Sequence, residues 1–64
     1  MEVNLHKLRQ MRIDQGLSQR QLALRAGLSP GAVAVVEQRE RAHPETLKKI
    51  ADILGVRASE LVKD

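Results

Sequence analysis

The sequence contains no cysteine and no phenylalanine, tryptophan or tyrosine. The first absence removes disulfide frameworks, thiolate nucleophiles and cysteine-ligated zinc together. A domain this small without such staples fits a cytoplasmic setting better than a secreted one. The second absence argues against modules that stack unpaired bases on aromatic rings, such as RRM and OB-type single-strand binders. No apolar run approaches the ~18 residues a membrane span needs. The opening Met1-Glu2-Val3-Asn4 lacks the basic-then-apolar form of a signal peptide. No segment is low-complexity and no internal period of about 20 residues or more recurs. Sixty-four residues leave room for one domain, 1–64, and for no large small-molecule pocket.

What is present suits a folded polyanion binder. Apolar residues make up 42% of the chain, enough for a core. Eleven Lys and Arg against eight Asp and Glu leave a net charge of +3, and that excess is unevenly placed. Residues 17–43 carry four arginines against Glu37 and Glu40, residues 1–16 contribute a single net positive charge, and residues 44–64 balance.

Periodicity predicts five short helices and no strand. Leu5, Leu8 and Arg12 share one face of a first helix, about 3–15, closed by Gly16. Ser18-Gln19-Arg20-Gln21 has capping-box form and opens a second helix, with Leu22, Ala23 and Ala26 inward, that stops at Gly27. Ser29-Pro30 reads as cap and first residue of a third helix, about 30–38, with Val33, Val36 and Glu37 inward. Pro44-Glu45 starts a fourth helix, striped by Leu47, Ile50, Ala51 and Leu54 and ended by Gly55. Residues 58–63 make a last turn or two.

The segment 19–38 carries the informative pattern. A helix-turn-helix needs a small residue where two helices approach, here Ala23. Its turn needs a residue tolerant of positive φ, here Gly27. It also needs apolar knobs on the second helix, here Leu28, Val33 and Val36 against Leu22 and Ala26. Any one of these positions is weak alone; the joint match at fixed offsets is specific.

Leu17-Ser18-Gln19, Leu22-Ala23, Gly27-Leu28-Ser29, Val33, Val36-Glu37, Leu47, Ile50-Ala51 and Leu54-Gly55-Val56 together resemble the phage repressor/Cro-like helix-turn-helix (XRE) family over about residues 5–62. The resemblance implies an all-α, compact five-helix, lambda-repressor-like domain. Its third helix enters the major groove of double-stranded DNA, usually as a homodimer on a palindromic operator, as expected of a transcriptional repressor. It also implies an ion pair between Arg12 and Glu37, which the helical pattern independently places on inward faces.

The same resemblance assigns base-facing positions to Ser29, Pro30, Gly31, Ala32, Ala34, Val35 and Gln38. Phosphate contacts fall to Ser18, Gln19 and Arg20 at the start of the second helix and to Arg39 and Arg41 after the third, with His43 nearby. The chain departs from the family here. Of residues 29–35 on the outward face only Ser29 hydrogen-bonds through its side chain, so bidentate reading of guanine or adenine is unavailable from them. Gln38-Arg39 also stands where Asn-Gly is frequent. Three uses of the face follow. It reads thymine methyl groups and DNA shape; or it binds a protein partner, with Leu24 extending the patch, as in an antirepressor, an antitoxin or a partner of the transcription machinery; or Val35 is simply exposed.

Apolar residues after Gly55, namely Val56, Leu61 and Val62, are the candidate dimer surface. Catalysis is not expected. His6 and His43 have no metal-ligand spacing, no Gly-rich phosphate loop or activated serine is present, and Ser18 and Ser29 are accounted for as caps. No cofactor or metal is implied. Lys48 and Lys49 alternate with Glu45 and Asp52 as on a solvated helix face.

Overall fold

The computed structural model describes all residues, 1–64. Its elements are α1 (Leu5–Asp14), α2 (Gln19–Arg25), α3 (Ala32–Arg39), α4 (Pro44–Leu54) and a 3-10 turn, Ala58–Leu61. The last predicted helix is thus a single tight turn. No helix is long and apolar enough to cross a membrane.

Each boundary has a local cause. Asn4 caps α1 by accepting from the Lys7 backbone N–H at 3.1 Å. The helix therefore starts two residues later than its apolar pattern suggests, because Val3 is extended and paired elsewhere. At α2 the capping box is complete: Ser18 Oγ accepts from Gln21 N at 3.0 Å and Gln21 Oε1 accepts from Ser18 N at 2.8 Å. The end of α2 is a Schellman motif, in which Gly27 N donates to Leu24 O and Leu28 N to Ala23 O, with Gly27 at φ +73°. Nothing lies within 4 Å of a Cβ built on Gly27. Its requirement is therefore conformational, not a matter of space.

The third helix corrects the sequence reading. It begins at Ala32, not Pro30, and no side chain caps it. The Ser29 carbonyl accepts from Ala32 N at 3.0 Å, and Gly31 sits at φ −92°, ψ 0°. Those angles suit the third position of a type I turn. Ser-Pro opens that turn and not the helix, since proline's φ serves the second position of a type I turn as well as the first position of a helix.

Twelve apolar residues close into one core, drawn from every element: Val3, Leu8, Leu17, Leu22, Ala23, Val33, Val36, Leu47, Ile50, Ala51, Leu54 and Leu61. Leu61 is fully buried, so it cannot belong to a dimer surface. Val56 and Val62 also pack against the core. Val3 is held in place by an extended strap, residues 1–4, lying between the loop after α3 and the C-terminal segment. On one side Val3 N donates to Glu40 O at 2.8 Å, and Met1 and Ala42 exchange backbone hydrogen bonds at 3.0 Å. On the other, Asn4 N donates to Leu61 O at 2.8 Å and Lys63 N to Glu2 O at 3.0 Å. These antiparallel bridges are the only extended pairing in a helical chain.

Glu40 ends α3 with a left-handed backbone, φ +54°, where glycine or asparagine is at ease. It also places a carboxylate at the negative end of the helix. Glu40→Gly is therefore expected to stabilise the fold by about 0.5–1 kcal/mol, read as a higher denaturation midpoint. An unchanged or lowered midpoint would show that the strain is relieved elsewhere.

Candidate nucleic-acid interface

Besides the shared core, one buried carboxylate ties the α2–turn–α3 unit to α1. Glu37 lies on the inner side of α3 and is 1% exposed. Its Oε2 accepts from Arg12 Nε at 2.8 Å, and its Oε1 accepts from Arg9 Nε at 3.0 Å and Gln19 Nε2 at 3.1 Å. Arg12 Nη2 adds a longer contact to Oε1, at 3.4 Å, and Arg12 Nη1 donates to the Leu17 carbonyl at 2.9 Å. One carboxylate thus joins α1, α2 and α3, and through Arg12 the loop before α2. Burial alone would push the Glu37 carboxyl up. The hydrogen bonds from Arg12, Gln19 and Arg9, with the charge of Arg12, outweigh it and hold the group below its ordinary value. No buried side-chain polar atom in the chain lacks a partner, which makes this a structural anchor and not an activated group.

Sequence reasoning named Arg12 and Glu37 but missed Arg9. The signal was there: Arg9 stands three residues before Arg12, on the same face of α1. Gln19, half-buried, donates one side-chain amide N–H inward to Glu37. Beside it at the start of α2 are backbone N–H, the hydroxyl proton of Ser18, whose oxygen is already accepting from Gln21, and the exposed Arg20.

With Glu37 inside, the opposite face of α3 points out. Val35 is 44% exposed and Gln38 and Arg39 are exposed, while Ala34 is half-buried. Ala32 is only partly available, because it packs against the core. Ser29, Pro30 and Gly31 form the exposed turn before it. The face is therefore a small apolar surface with a polar residue at each end. Leu24, at 51% exposure, contributes a further apolar group from α2.

Arg39 and Arg41 are exposed at the C-terminal end of this face. They share a shallow cleft of about 360 Å³ with Met1, Val35, Ala42 and His43. The strap, through Met1 and Val3, fixes the backbone of the loop that follows Arg39 and bears Arg41. Of the phosphate set, then, Arg39 and Arg41 are brought together beside Val35, while Ser18, Gln19 and Arg20 belong to the start of α2.

A model of the family described as helix-turn-helix matches residues 8–61. Among solved structures, the chain is similar to the clp gene regulator ClgR from Corynebacterium glutamicum, with 28% identity and a TM-score of 0.73. The match covers 88% of this chain and 61% of that one, so the chain spans under two thirds of that regulator's structure. No curated protein matches.

Proposed function

The chain belongs to the helix-turn-helix family, of the XRE type, and from that premise we propose that it is a DNA-binding transcriptional regulator that seats α3 in the major groove. The observation that carries this reading is the outer face of α3. It is apolar at Val35 and Ala34, and it ends in Arg39 with Arg41 beside it. Methyl-bearing side chains fit thymine methyl groups, and the arginines fit the flanking phosphates.

The reading extends to cytoplasmic repression by two copies on a palindromic operator. A single face with so few hydrogen-bonding readers carries little specificity, and two half-sites about 34 Å apart double it. Pairing through residues 56–62 would rest on the partly exposed Val56 and Val62, since Leu61 is buried.

The test is selection of bound duplexes from a random pool at about 150 mM salt, followed by a salt series. A recovered palindromic, thymine-containing motif supports the reading. Enrichment of nothing over a steeply salt-sensitive background removes it. Arg39→Ala with Arg41→Ala is expected to weaken binding roughly tenfold, evenly across sequences, and to flatten the slope of log affinity on log salt by about two. A slope equal to that of the parent chain would take both arginines off the phosphates.

The exposure of Leu24 and Val35 favours a second reading, a protein-binding face. It gains if the arginine pair is silent while Val35→Glu abolishes activity.

A further inference from the structure

The cleft beside Val35 has a third basic side chain that the family reading leaves without a function. His43 lines it with Arg39, Arg41, Met1, Val35 and Ala42, and no acid lines the same cleft. Glu2, Glu40 and Lys63 line the neighbouring cleft, which shares Arg39 and Arg41, and Glu45 lies in the first turn of α4. His43 occupies the N-cap position of α4, yet its side chain makes no capping bond. The residue is thus exposed and uncommitted, in a cleft that also holds the permanent cations Arg39 and Arg41 and Met1, whose terminal ammonium donates to the Ala42 carbonyl at 3.0 Å.

We propose that this cleft seats a backbone phosphate of duplex DNA and that His43 is a protonation-dependent cation in it beside Arg39 and Arg41, so that the chain's grip on DNA is coupled to pH. The inference rests on the DNA-binding reading above and adds a residue and a regulation to it. Arg39 and Arg41 keep their charge throughout the physiological range, whereas an imidazole gains or loses its charge there. A phosphate seated against the ring favours the imidazolium, and binding then takes up a proton.

The experiment compares the parent chain, His43→Gln and His6→Gln on one duplex across a salt series, at about pH 6 and about pH 8. His6 is an exposed histidine on α1 that does not line the cleft, and serves as the control. At the lower pH, His43→Gln is expected to bind about three- to tenfold more weakly than the parent, with a salt slope shallower by about 0.9. At the higher pH the two converge, and His6→Gln follows the parent at both. Thermal midpoints of the three proteins should agree, since the His43 side chain makes no bond within the fold.

If His43→Gln matches the parent at the lower pH, or falls below it equally at both, the inference is overturned while DNA binding stands. If the parent binds no duplex at either pH, the DNA-binding reading itself fails and the inference falls with it.

Discussion

Glu37→Ala is expected to leave the chain largely unfolded at room temperature. Removing one partner of a buried ion pair costs about 3–5 kcal/mol, because the other charge is stranded. A core in a domain of this length rarely supplies more than about 3–5 kcal/mol in total. The stranded group is Arg12, whose side chain is 13% exposed and would keep only the Leu17 carbonyl. Arg9 contributes less, since at 51% exposure water replaces most of what it loses. Glu37→Gln should also destabilise: it removes the charge and points an amide N–H at a cluster of donors. Replacing both partners, Glu37→Leu with Arg12→Met, should recover much of the loss by removing the stranded charge. Chemical denaturation of the four proteins decides it. A loss below about 1 kcal/mol for Glu37→Ala would show the pair behaving as a solvated one.

The same carboxylate sets the response to acid. Its folded-state pKa lies below its ordinary value, so the folded protein binds that proton less readily than the unfolded chain. The stabilisation is fully present above the ordinary carboxylate range and is lost as pH falls through the folded-state value. Stability measured downward from neutrality should therefore decline in acid for the parent, and less steeply for Glu37→Gln. Equal declines would assign the acid response to the other carboxylates.

Val35→Glu is expected to abolish DNA binding while leaving the fold intact. The side chain is 44% exposed on the outer face of α3, and glutamate is at least as good a helix former as valine, so the melting temperature should hold. On DNA the new carboxylate faces bases and phosphates, and a like charge placed there costs several kcal/mol, roughly a hundredfold or more in affinity. Val35→Lys separates two components of the interaction. It should keep or raise overall affinity, with a steeper salt slope, while erasing sequence preference, because the thymine methyl contact is gone and the phosphate attraction is not. Binding to the selected motif undiminished by either change would move the reading surface away from α3.

The sequence alone determined what depends on neighbours three and four residues apart. The Ser18 capping box, Ala23, Gly27 and the Val33–Val36–Glu37 stripe were legible because helix caps and helix faces are written at short, regular spacing. Family membership was legible for the same reason. Ser29-Pro30 misled by two residues because a tight turn and a helix start ask the same of proline.

What tertiary structure decided are contacts with no period. The strap pairs residues 1–4 with residues 40–42 and 61–63 through backbone hydrogen bonds, which carry little side-chain signature. The burial of Leu61, the inward turn of Gln19 and the second arginine on Glu37 all depend on how distant segments meet. So does the cleft that brings Arg39, Arg41 and His43 around Val35. A buried carboxylate must collect donors from whatever packs around it, and only the assembled fold says which those are.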